Sequence, residues 1–255
     1  MSTHAPNALA LDDLILGSFS RVPRSEKLDH LIRYLSTWTK LLVPLLQLRA
    51  RVQHRVGLSK VATSQAAVSW AKLGGIVSDA RVLWRIWGLL PIFQWMISLE
   101  KTSPPTRRLL NIERIQGWSM LAYYPLEHLY YLGSHQIIPI SSKKLEKLSL
   151  WSCRFWAVYV VLQFFHLSED QRLLKLRERA LRSVDAPEER KEIKRSKIAI
   201  ANEFWTNVGY LPLTIHWSLE KGLFKNEAWV GLFGLVAAIS SLRSGWQATA
   251  APPSR

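Results

Sequence analysis

Apolar residues recur at helical spacing from Ser25 onward. Leu28, Leu31, Ile32, Leu35, Trp38, Leu42 and Leu46 fall on one side of a helical wheel, and Asp29, His30, Arg33, Thr37 and Lys40 fall opposite. The pattern predicts an amphipathic helix over 25–46, with Ser25 as N-cap, Glu26 in its first turn and Pro44 bending its end. A second helix is predicted over Ala66 to Ile97. Trp70, Leu73, Val77, Ala80, Trp84 and Trp87 share one of its faces, and Lys72 and Asp79 lie away from it. From Ile86 it becomes apolar all round, with Pro91 as a kink. Ser103-Pro104-Pro105 breaks the chain. The next helix passes through Trp118 and Tyr124, breaks near Pro125, resumes over Leu126 to Leu132 and ends at Gly133. After a turn at Ile138-Pro139, Ser142 is expected to cap a long helix running towards Leu181. A final pair covers Ile198 to Leu219 and Ala228 to Trp246. Strand signals are weak throughout. The predicted fold class is all-α, a membrane-associated helical bundle with an N-terminal amphipathic helix and a short C-terminal transmembrane helix.

The same pattern divides the chain. Residues 1–24 read as a loose leader, 25–171 as a helical membrane-associated region, 198–246 as a C-terminal helical membrane region and 247–255 as a disordered tail. Between the two helical regions, 172–197 carries ten Lys/Arg against five Asp/Glu. Asp185-Ala186-Pro187 splits it into two solvated arms. It is expected to hold no apolar core and to act as a hinge or linker.

Four uncharged stretches stand out: Ile86 to Leu99, Phe155 to Ser168, Phe204 to Leu219 and Ala228 to Leu242. Each falls short of the roughly 20 apolar residues that an ordinary spanning helix uses. Ala228 to Leu242 is the leading candidate for spanning. Trp229 and Trp246 bracket it as interfacial aromatics do, and Arg243 can snorkel. Gly234/Ala238 and Ala237/Ser241 give small residues at the spacing that lets helices approach in lipid. Ile86 to Leu99 comes second. The other two are expected to pack within the bundle or on the interface.

Composition sharpens this picture. The 255 residues include 34 Lys+Arg against 19 Asp+Glu, a net charge of +15, together with 12 Trp. The basic excess favours an anionic partner, either lipid headgroups or nucleic acid. The basic residues are dispersed and most aromatics lie in apolar runs, which argues against a nucleic-acid platform. The single cysteine, Cys153, excludes an internal disulfide and reads as a small buried hydrophobe. Met1 to Leu11 lacks the layout of a secretory signal, and the terminal Pro-Pro-Ser-Arg is no peroxisomal address, so any targeting is expected to be internal.

Catalytic signatures are missing. No Gly-rich phosphate loop, nucleophile elbow or HExxH occurs. His128 and His135 lack nearby Cys, and Glu113 and Glu127 read as surface or cap carboxylates. The expectation is a protein without metal or cofactor that is not an enzyme. The amphipathic stretch can do physical work instead. Such a helix lies in the headgroup plane with its apolar face about 5–10 Å deep. Leu28, Leu31, Ile32, Leu35, Trp38 and Leu42 would bind lipid, with Lys27 at the flank and Lys40 on the polar side.

The segment RSEKLDHLIRYL, from Arg24 to Leu35, resembles the N-terminal helix of the peroxin-11 family of peroxisomal membrane proteins. Leu73 to Trp95, with SDARVLWR ending at Arg85 and then Gly88, is similar to that family's second region. Tyr123 to Leu132 is similar to its central aromatic segment, and Trp229 to Trp246 resembles its C-terminal membrane segment. The order of these segments carries the resemblance, which extends from about Ser25 to Trp246 and is closest to the divergent, gamma-like fungal branch. It implies a protein of the peroxisomal membrane that elongates the membrane before division. It further implies self-association and cooperation with a fission adaptor and a dynamin-type GTPase. The alternative is a channel or transport component for small metabolites, since clustered short helices can line a pore.

Overall fold

The computed structural model describes residues 39, 42–181, 187–225 and 227–250. All regular structure among them is helical, in line with the predicted class. In chain order, α1 covers 42–55, α2 Gln65–Trp84, α3 Leu89–Lys101, α4 Arg107–Ser134, α5 Ser142–Ala180, α6 Pro187–Ser218 and α7 Glu227–Ala250. A single 3-10 turn, Arg85–Gly88, joins α2 to α3.

Local chemistry explains most boundaries. α1 continues past Pro44 and past Leu46, where the apolar stripe closes. It ends in a Schellman-type cap: Gly57 adopts φ +78°, and Leu58 N donates to the Gln53 carbonyl at 2.9 Å. Ser64 and Thr106 cap α2 and α4 by accepting from the backbone N–H three residues on. The break before α3 follows from Pro91, which lacks an N–H and is tolerated in the first turn of a new helix.

Four boundary expectations are corrected. α4 runs unbroken through Pro125, because packing along α5 outweighs one missing backbone bond. It passes Gly133 and stops where Gln136 takes a left-handed φ of 58°, a position usually given to Gly. Ser141, not Ser142, stands at the N-cap of α5, and its carbonyl accepts from Lys144 and Leu145. α7 continues to Ala250, into the stretch expected as tail.

The last four helices form an antiparallel series in which each packs on the next. Register is fixed by pairs that climb α4 as they descend α5: Glu113 with His166, Gln116 with Gln163, Tyr123 with Trp156. Trp156 meets Tyr210, and Phe164 meets Phe204, on α6. Gly209 then sets the approach of α7. A Cβ there would stand 2.5 Å from the Ala237 backbone nitrogen, so only Gly fits.

The charged stretch 172–197 supplies the end of α5 and the start of α6. These arms project past the start of α4 as a paired stalk. Arg177–Glu192 at 2.7 Å and Lys197–Glu178 at 2.6 Å bridge the arms. A hydrogen bond from Lys191 holds the Glu188 carboxyl below its usual range. Ile193 is buried, so the described part of the arms does cover an apolar side chain, contrary to expectation.

Candidate membrane-embedded site

The interior of this bundle mixes apolar side chains such as Leu109, Val160, Leu167 and Leu213 with many polar ones, while large apolar side chains face outward. Gln116 is 1% exposed, whereas Trp118, two residues along the same helix, is 66% exposed. Ser119, Ser152, Thr206, Asn207, Thr214 and Ser240 are also buried. Trp151, Phe165, Trp205, Trp229 and Leu232 face outward. In water so much exposed apolar surface would be unfavourable. In lipid it is expected, because tails are as apolar as Leu, and helices associate through small residues and hydrogen bonds.

Most of these buried polar groups have a local or interhelical partner. Gln116 Nε2 donates to Gln163 Oε1 at 2.6 Å, joining α4 to α5. Thr206 and Asn207 donate to the carbonyls of Asn202 and Glu203, one turn back on α6. Ser119 and Thr214 likewise donate to their own helices.

Charged residues gather in two layers. In the upper layer Glu113 on α4 accepts from Trp95 Nε1 of α3 at 3.2 Å and from His166 Nε2 of α5 at 3.1 Å. Asp170 Oδ2 faces the other ring nitrogen at 2.9 Å, so the imidazole lies between two carboxylates. Arg114 forms a bidentate pair with Glu100. Buried Glu169 takes Arg172, with Arg108 nearby at 3.7 Å. In the lower layer Arg85 donates to both the Tyr123 hydroxyl and Glu127 Oε1, and Tyr123 donates to the same oxygen at 2.6 Å. Glu127 Oε2 and His128 Nε2 are buried there without a partner among the described residues. Arg154 donates to the Ser218 carbonyl at 3.3 Å. Just below, Asp79 of α2 accepts from Tyr131 and meets His135 at 3.0 Å.

The loop joining α6 to α7 is wound on His216. Leu223 N and Phe224 N both donate to His216 Nδ1, at 2.8 and 3.0 Å. Gly222 makes this turn at φ +65°, against the imidazole edge.

Two helical segments are long and apolar enough to cross a membrane: Gln65–Lys101 and Ser142–Ala180. The protein buries only 12% and 11% of their apolar windows, unlike the core helices of a soluble protein. Phe155 to Ser168, expected to pack within the bundle or on the interface, belongs to the longer α5. The C-terminal candidate contains a shorter apolar helix, Trp229–Ser241.

The sequence-predicted site residues are distributed as follows. Lys27, Leu28, Leu31, Ile32, Leu35, Trp38 and Lys40 lie outside the described residues. Leu42 begins the described part of α1 and is half-buried. Thr39, within the same amphipathic stretch, is buried, and its Oγ1 occupies the space where a Cβ on Gly74 of α2 would be. Trp229 is half exposed at the start of α7, and Trp246 lies towards its end. Gly234 faces open space and Ala238 is half-buried. Of the two small-residue pairs, it is Ala237 of the second that makes the close helix contact, with Phe233, onto Gly209. Glu113 and Glu127 are not surface carboxylates. They occupy different layers about 20 Å apart along α4 and never meet.

Sequence reasoning passed over Gln116, Gln163, Arg85, His166 and Trp95. Gln163 carried a usable signal, being an amide within an otherwise apolar run.

The model of the family described as peroxisomal biogenesis factor 11 (PEX11) matches residues 25–246. An uncharacterized protein of Schizosaccharomyces pombe is 30% identical over 205 residues, which covers 77% of this chain and 91% of that protein. No solved structure matches.

Proposed function

Because the chain belongs to the peroxisomal biogenesis factor 11 family, whose members are peroxisomal membrane proteins tied to peroxisome proliferation and division, we propose that it elongates the peroxisomal membrane ahead of fission. The amphipathic stretch 25–46 enters one leaflet and expands it. The helical bundle anchors that wedge, and association of copies multiplies its effect. The elongated membrane then becomes the substrate of a dynamin-type GTPase recruited with a fission adaptor.

The observation that carries this reading is a bundle with an apolar exterior and buried polar groups, preceded in the chain by the amphipathic stretch. The family match includes both parts. Thr39, near the end of the stretch, is buried against α2 at Gly74. A wedge coupled to an embedded anchor transmits its area strain to the bilayer. Each Leu or Ile side chain it buries contributes roughly 1.5–3 kcal/mol to insertion.

The test is tubulation of anionic vesicles by the full-length chain, viewed by electron microscopy. Leu31→Glu combined with Leu35→Glu should abolish tubules while the protein still co-floats with the vesicles. Tubules formed undiminished by the double variant would overturn the wedge mechanism.

A further inference from the structure

The sequence shows separate uncharged runs; the fold stacks them at one level. Glu113 with His166 and Trp95 fixes the upper edge across α3, α4 and α5. Arg85 with Glu127, and Arg154 with Ser218, fix the lower edge. Reaching from one edge to the other are Ile86 to Leu99, Ile115 to Leu126, Phe155 to Ser168 and Phe204 to Leu219, of 12 to 16 residues each, with His166 and Ser218 in the last turn of their runs. At 1.5 Å per residue they make a band about 18–24 Å thick, against about 30 Å for an average hydrocarbon core. Most exposed tryptophans of the bundle mark the same two levels, Trp118 lying about one turn inside the upper one. Trp205 stands at the upper edge, and Trp87, Trp151, Trp217 and Trp229 stand at the lower one. Tryptophan belts of this kind sit at the membrane–water boundary.

Resting on the membrane reading above, we propose that this band is built for a thin bilayer, so that the bundle prefers short-chain lipid and thins a thicker bilayer around itself. The charge layers are what hold the limit. Their members are bonded to one another across helices, so they cannot move into the acyl region without losing partners. Lone snorkelling side chains could relax the mismatch; cross-linked layers cannot. A short hydrophobic span is accommodated by thinning of the surrounding bilayer. Such thinning deforms the membrane even where the amphipathic stretch is disabled.

The full-length chain is reconstituted in phosphatidylcholine vesicles with monounsaturated chains of about 14, 16, 18 and 22 carbons, each mixed with its brominated counterpart. Quenching of the tryptophans gives relative lipid-binding constants. The constant should be greatest at about 14–16 carbons and fall about threefold towards 22. A flat series, or a maximum at 18 or more, would overturn the proposal while leaving the membrane reading intact. Absence of quenching by every brominated lipid would sink both. A second protein, Arg85→Met with Glu127→Leu, removes the central pair of the lower layer and lengthens the apolar run. Its optimum should move to longer chains, and an unmoved optimum would show that this layer does not set the thickness.

Discussion

Arg85 reaches across from the turn before α3 to Tyr123 and Glu127 on α4, and Glu127 is largely covered. Removing the guanidinium alone would strand a carboxylate whose other oxygen already lacks a partner. Arg85→Ala should therefore destabilise the bundle by about 1–3 kcal/mol, seen as a lower thermal midpoint in detergent. The double change to Met and Leu should cost less, since replacing both members of such a pair is often neutral. Gly209 acts through absence of a side chain. Gly209→Val would push α7 off α6 and should cost about 1–3 kcal/mol, read as earlier proteolytic release of the C-terminal helix.

At the scale of elements, each prolines' effect depends on its place. Pro91 falls in the first turn of α3 and coincides with a true interruption. Pro125 and Pro212 lie within α4 and α6, which continue through them. Long lateral packing and neighbouring side chains compensate for the lost bond, as in membrane helices generally. The stalk is the opposite case, with exposed ion pairs and few apolar contacts. Arg177→Glu breaks a bridge whose side chains are 46% and 60% exposed. It should shift the thermal midpoint by less than the equivalent of about 1 kcal/mol, because solvent screens such pairs. A large shift would mean that the stalk is integral to the bundle's stability.

At the scale of the whole molecule, apolar side chains outside and hydrogen-bonded polar ones inside predict retention in the bilayer. The chain should remain in the pellet when peroxisomal membranes are extracted with alkaline carbonate. Release into the supernatant would require a peripheral association.

Helical content, the approximate helix order and the family were legible in the sequence, because helical periodicity, Pro/Gly punctuation and segment order are local properties of the chain. The short uncharged runs were legible too, although each looked too short to be assigned with the others. Pairing was not legible: Gln116 with Gln163, Glu113 with His166, and Arg85 with Glu127 lie 42 to 53 positions apart and are matched only by antiparallel register. Nor could the two small-residue spacings on α7 reveal that the contact would fall on Ala237 rather than Gly234, since that depends on the rotation of α7 against Gly209. By itself the sequence determined an all-helical chain of a peroxisomal membrane family, since side-chain periodicity and composition act over one or two turns. Only the tertiary structure decided that the polar residues lie inside and that the charges form two layers at a common level, because those features depend on which helices touch and in what register.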